Sequence, residues 1–280
     1  APQALSPTHR HPVPSQKSCL TAKSICTFDE SDFAGEQGDW PYLASDLNRL
    51  DNSDDSVFYD APRFVTHIDD GAISSLTKFY EEEFTSLNKE SLDVLDLCSS
   101  WISHLPEEGV NYGRVVGVGM NEKELAANKQ LNDFFVQNLN DNPIMSQFED
   151  NSFDVICNVV SVDYLNKPLE IFQEMHRILR PGGVSLMSFS NRCFPTKAIA
   201  MWLQADDIGR LTIVGSYYHY AAKWSSIEAL DIKEMQPTPE RPSAGDIMKN
   251  PALGMAWMTA ASAVAKNNQG DPMFVVKGMK

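Results

Sequence analysis

The chain has 280 residues, 42% hydrophobic and 22% charged, which suffices for one large core with an appendage and excludes overall disorder. Acidic side chains outnumber basic ones 38 to 23, and a net charge of −15 repels a phosphate backbone. This balance argues against nucleic acid and the anionic face of a membrane as partners, while leaving a neutral or cationic small-molecule substrate open.

The segment Ala1 to Phe28 contains no Asp or Glu, carries Arg10, Lys17 and Lys23, and is rich in Ser and Pro; the first acidic residue is Asp29. A basic, acid-free leader of this kind is the pattern of an organellar transit peptide, plastid rather than mitochondrial, with a disordered tail as the alternative. Residues 29–90 then form an N-terminal extension, in which the stretch from Phe58 to Phe84 is expected to supply a helical cap. Within it, Glu81, Glu82 and Glu83 read as a solvated helix face.

From Leu92 onward short apolar runs alternate with helical periodicity, the signature of βαβ units and a parallel sheet. Leu92 to Leu97 reads as the first strand and Arg114 to Val118 as the second. Asn121 then caps a helix, with Glu124 at the return position of a capping box. Asp133 to Gln137 is the third strand, and the continuous apolar run Phe153 to Val160 is a buried fourth. Leu165, Leu169, Phe172, Met175 and Leu179 recur at three- and four-residue spacing, so a helix follows, with Asn166 as cap and Pro168 in its first turn. It stops at Arg180-Pro181-Gly182-Gly183, and Val184 to Phe189 resumes as the fifth strand.

A helical region from Lys197 to Tyr220 and two last strands, Ile227 to Lys233 and Met273 to Lys277, complete a Rossmann-like, doubly wound α/β fold. Its seven-stranded sheet spans a domain at 91–280 with an insertion near 236–270. The longest apolar stretch, Leu253 to Ala265, falls short of the about 20 residues that span a bilayer, so no integral membrane segment is expected. Within it, Trp257 and Met258 read as core packing. The cysteines form no CxxC pair, and His67, His104, His176 and His219 have no neighbouring Cys or His at zinc-ligand spacing, so no metal site is expected.

The run Phe148-Glu149-Asp150-Asn151-Ser152-Phe153-Asp154-Val155-Ile156, followed by Ile178-Leu179-Arg180-Pro181-Gly182-Gly183, resembles the class I S-adenosylmethionine-dependent methyltransferases of the methyltransferase type 11 group. The segments Asp96 to Pro106, Gly117 to Glu122 and Ser188 to Pro195 resemble a UbiE-like branch of that group from photosynthetic organisms. The resemblance extends over roughly Phe58 to Lys280. It implies a methyltransferase that uses S-adenosylmethionine on an unidentified small molecule. The alternative is a non-catalytic methyltransferase-like protein with an assembly role and a protein partner.

The alternative arises from departures from the family pattern. Asp96 matches the acid that ends the first strand, but Cys98, Ser99 and Ser100 stand where the family has a glycine-rich turn. Gly119 stands where a carboxylate usually meets the ribose, and Asn138 replaces the acid that meets the adenine. Gly117-x-Gly119-x-x-Glu122 echoes a dinucleotide fingerprint but follows the second strand and lacks the third glycine.

Ligands in such sheets bind outside the carboxyl ends of the strands. The cofactor-binding candidates are therefore Asp96, Cys98, Ser99, Ser100, Gly119, Met120, Asn121, Asn138, Leu139 and Ser161, with Glu124 as a further route to the ribose. Methyl transfer needs alignment and sometimes a base. Candidates for catalysis are His67, Asp163 and Tyr164, and for substrate contact Asn191 and Arg192. Each also has a structural reading: His67 as a packing residue of the cap, Tyr164 as the start of a helix core, and Arg192 as the partner of Asp163. His104 and His176 lie on helical stretches and read as structural.

Overall fold

The computed structural model describes residues 22–33, 40–235 and 237–280. In chain order its elements are β1 (Lys23–Thr27), α1 (Asp55–Phe58), α2 (Asp70–Ser86), β2 (Leu92–Leu97), β3 (Tyr112–Gly119), α3 (Glu122–Ala127) and β4 (Asp133–Val136). Then come β5 (Phe153–Val159), α4 (Pro168–Ile178), β6 (Leu179–Phe189), α5 (Ala200–Gln204), α6 (Asp207–Ala221), β7 (Ser226–Asp231), α7 (Ala244–Lys249), α8 (Pro251–Asn268) and β8 (Phe274–Met279). The strands form one sheet in the order β1-β7-β8-β6-β5-β2-β3-β4. Neighbours from β4 through β6 are parallel, whereas β8 runs antiparallel to both β6 and β7, and β1 antiparallel to β7.

Alternation along the strands divides the core into two layers. Leu95, Leu97, Val116, Val118 and Ile156 face α4 and α6, whose Phe172, Tyr217 and Tyr218 pack with Trp202 and Trp224. Leu92, Val94, Val115, Val155 and Cys157 face the opposite way, onto Leu76, Phe79, Tyr80 and Phe84 of α2. At the amino ends of the strands, Arg180 bonds Asp93 and Asp154 at 2.7 Å each, with Lys89 also on Asp154. This ionic lattice ties β2, β5 and β6 together at the end of the sheet opposite the loops described below.

Several expectations are corrected. Among the described residues the sheet has eight strands, because Lys23–Thr27, inside the segment read as a leader, pairs with the edge of β7; residues 1–21 of that segment lie outside the described residues. The cap is not helical: α2 lies in the layer against the sheet, buried along its apolar side, and the chain over the site is the non-helical strap 59–69. Glu83 is buried and ion-paired to Lys277 at 2.7 Å, because α2 turns that side toward β8.

Strand β6 begins at Leu179, with no break after α4. Pro181, Gly182 and Gly183 lie inside its span, and Gly182, at φ 76°, donates to the Lys280 carbonyl. Lys167, not Asn166, precedes α4, which starts on Pro168, and the region 197–220 is two helices. His104 lies in a loop with φ 56°, not on a helix. Met258 is exposed and Trp257 only part-buried, so neither fills a core.

Candidate functional site

Because the parallel strands share a direction, the loops following β2, β3, β4, β5 and β6 converge at one end of the sheet. They enclose a cavity of about 540 Å³, closed on its outer side by Asp55 and the strap. Asp96, Cys98, Ser99, Ser100, Gly119, Met120, Asn121, Asn138, Leu139 and Ser161 all line it, together with His67, Tyr164, Asn191 and Arg192.

The turn after β2 is built without glycine. Cys98 adopts φ 58°, in the left-handed region where glycine is the usual residue, so the chain reverses as a glycine-rich turn would, at a conformational cost. Ser99 and Ser103 offset part of that cost by donating to the Asp96 carboxylate at 2.5 and 2.6 Å. Burial pushes the Asp96 carboxyl up to about 6, the two serine hydrogen bonds opposing it. The turn runs close over the end of β3, where a Cβ added at Gly119 would lie 2.2 Å from the Ser99 carbonyl oxygen.

Further along the same loop, His104 lines the cavity with its buried Nδ1 unpaired. Burial lowers its pKa to about 4, so the ring is neutral at physiological pH. Across the cavity, Val160 has φ 43°, an outlier for a β-branched residue, and its amide bonds the Ser188 carbonyl.

Polar residues after β3 hold the strap. Asn121 accepts from the amides of Lys123 and Glu124 as the cap of α3, while its Nδ2 donates to the carbonyls of Tyr59 and Asp60. Its side chain is thus engaged at both ends. Glu124 accepts the Arg63 amide and the Ser100 hydroxyl, each at 2.6 Å, in place of the return bond of a capping box. A carboxylate offers about four acceptor sites, so Glu124 keeps roughly half its capacity at the cavity wall. The Asn138 side-chain carbonyl accepts the Asn140 amide at 3.0 Å.

The opposite wall is aromatic. Phe194 lies 5.4 Å from His67 and 6.1 Å from Tyr164, ring centre to ring centre, with the Arg63 guanidinium over it at 5.7 Å. The Tyr164 hydroxyl accepts the Phe194 amide at 2.8 Å, and burial raises its pKa, so it positions this loop as a neutral phenol. His67 sits on the rim, where desolvation lowers its pKa and favours the neutral imidazole.

Asp163 is the exception among the sequence candidates. It lies in the 3-10 turn Val162–Tyr164, buried and off the cavity wall, with Oδ2 unpaired, because that turn directs its side chain into the core. Arg192 does not pair with it; its Nε bonds the Asp271 carboxylate at 2.7 Å, fixing Arg192 at the rim.

Sequence reasoning passed over Asp55 and Tyr59. Asp55 accepts from Arg49 Nη1 on both oxygens at 2.9 Å and from Asn140 Nδ2 at 2.9 Å, with the Lys197 ammonium at 3.2 Å; Arg49, Asp55 and Lys197 are buried and Asn140 is part-buried. Two adjacent aspartates in a polar run resemble a solvated loop, and their capping pattern before Val57-Phe58 is the local sign of α1.

Residues 97–187 match the family described as "Methyltransferase domain". A demethylmenaquinone methyltransferase of Bacillus cereus is 29% identical over 102 residues, 34% of this chain and 43% of that protein. The chain therefore spans under half the length of this relative. Among solved structures, the [4+2]-cyclase SpnF superimposes with a TM-score of 0.46 at 14% identity, covering 80% of this chain and 91% of its own. A SAM-dependent methyltransferase from Archaeoglobus fulgidus gives 0.45 at 13% identity, covering 73% and 93%. The matched segment runs from the end of β2 into β6 and contributes most of the cavity's loops, and over this segment the chain is similar to methyltransferase domains.

Proposed function

We propose that this chain transfers a methyl group from S-adenosylmethionine to a small, largely apolar acceptor held in the same cavity. The observation that carries this reading is the cavity of about 540 Å³ at the carboxyl ends of five strands, within the range of small-molecule sites and lined on one side by polar groups and on the other by rings.

The residues present fit the cofactor in an altered form. The left-handed turn at Cys98 lets the backbone approach the methionine end, and Asp96 backs that turn. Gly119 supplies no carboxylate and Asn121 is already engaged, so Glu124 is the acceptor we assign to the ribose hydroxyls. We assign Asn138, on the cavity wall, to the adenine end. When bound, S-adenosylmethionine supplies an electrophilic methyl group.

In this reading Phe194, Tyr164 and the strap orient the acceptor and exclude water, and we assign to His67 the acceptance of the acceptor's proton. The matched relative is named for demethylmenaquinone, so an apolar ring compound is the first acceptor class to test.

Calorimetry with S-adenosylhomocysteine on the whole chain, with an Asp96→Ala variant, tests the reading. Micromolar binding that the variant loses supports it. A folded protein that binds neither S-adenosylhomocysteine nor S-adenosylmethionine instead favours the non-catalytic alternative, which the engaged state of Asn121 and the blocked carboxylate position at Gly119 would suit. We further propose organellar import, preferentially into plastids, directed by the basic, acid-free segment ahead of β1; a cytosolic signal from a reporter fused behind that segment would count against it.

A further inference from the structure

Between β7 and β8 the chain leaves the sheet and forms the helical finger α7–α8. Its helices pack on each other where Gly254 lets Ile247 approach, and Trp257 Nε1 donates to the Pro239 carbonyl at 2.9 Å. The part-buried positions of α8 recur as Gly254, Trp257, Ala261 and Val264, a stripe at helical spacing, yet no described residue of either helix is buried.

An ordinary surface helix carries charge on its outward face. The eighteen residues of α8 hold one charge, Lys266. Its outward side presents Leu253 at 43%, Met255 at 67% and Met258 at 58% exposure, with alanines between, and Met248 on α7 is 85% exposed. From Pro237 to Asn268 three basic residues stand against two acidic ones, in a chain of net charge −15. Lys249 and Lys266 lie in the last turns of the two helices, at the borders of the apolar surface.

The root of the finger is fixed at the rim of the cavity. Asp271 and Asp69 exchange amide-to-carboxylate bonds of 2.7 and 2.9 Å, Asp271 also holds Arg192, and Lys233 bonds the Gly270 carbonyl. The strap continues directly from Asp69 and exposes Phe64 and Val65.

We propose that the α7–α8 finger docks on the surface of an electrically neutral lipid bilayer, with the cavity mouth beside it. Uncharged apolar side chains partition into the boundary of the acyl layer, and flanking lysines extend to the headgroups. The acidic body repels an anionic leaflet, which selects zwitterionic or uncharged headgroups. A charged protein partner would find no ion-pair complement among Leu253, Met255 and Met258 themselves, and among the described residues no helix is long and apolar enough to cross the bilayer, so the contact we propose is peripheral.

Flotation of the whole chain with phosphatidylcholine vesicles tests this without donor or acceptor, independently of the proposed reaction. The expected result is co-flotation that persists at high salt and falls at least about tenfold in the double variant Met255→Asp, Met258→Asp, with circular dichroism and thermal midpoint unchanged because both side chains are exposed. Met248→Asp on the shorter helix gives a second, separate reduction. The proposal is overturned if the native chain does not float, if the variants float equally well, or if binding needs anionic lipid and is lost in salt. It is also overturned if lipid-free sedimentation finds a dimer that the double variant dissociates, since a second copy then covers the face.

Discussion

The carbonyl oxygen of Ser99 lies 2.2 Å from where a Cβ on residue 119 would stand. The glycine-free turn after β2 therefore dictates glycine at the end of β3, so the conformation at Cys98 to Ser100 and the residue at 119 are one linked structural feature. Gly119→Ala should lower stability by about 3 kcal/mol, since backbone must move to admit the methyl group. Scanning calorimetry would show a midpoint roughly 9 °C lower; an unchanged midpoint would mean that the turn yields freely.

Glu124 joins the strap to the cavity wall through the Arg63 amide and the Ser100 hydroxyl. Glu124→Gln leaves one acceptor oxygen where two are needed, so the amides of 59–65 should exchange hydrogen faster. If Glu124 also meets the ribose, S-adenosylhomocysteine affinity should fall about tenfold, the size of one charged hydrogen bond. Faster exchange with unchanged affinity would confine its role to the strap.

Asp163 is buried with an unpaired oxygen, and desolvation pushes its pKa up to about 8 from 3.8. The folded state thus holds a proton that the unfolded state has already released. Asp163 weakens folding little below pH 3.8, and increasingly as pH rises toward 8. The loss is on the order of 4 kcal/mol by pH 7. Asp163→Asn, which stays neutral, should be more stable than the native chain at pH 7 and lose that advantage near pH 4. Urea unfolding at both values measures this, and a pH-independent difference would refute it.

The Arg49, Lys197 and Asp55 cluster fastens the segment before the strap to the loop after β6. Asp55→Ala leaves two buried cations with their principal acceptor removed, and should cost about 3–5 kcal/mol in urea unfolding. A cost under about 1 kcal/mol would mean that Asp51, 3.2 Å from Lys197, takes over the pairing.

What the amino-acid sequence determined by itself was the repeating part of the molecule. Alternation in Leu92–Leu97 and the spacing of Leu165 through Met175 are local consequences of backbone period, and they predicted the strands and α4. The candidates around the cavity were legible for a related reason: in a parallel sheet every strand delivers its following loop to the same end, so position after a strand suffices to bring Asp96, Gly119, Asn138 and Ser161 together. Only the tertiary structure decided how those side chains are used. Asn121 and Glu124 were named as ribose contacts, yet both bond the strap, whose course no local pattern encodes. Asp163 points into the core because a 3-10 turn, not a strand, sets its direction. Glu83 is buried and Met258 exposed because a side chain's surroundings depend on which distant element packs against it, and α2 has the sheet as its neighbour where the outward face of α8 has none among the described residues.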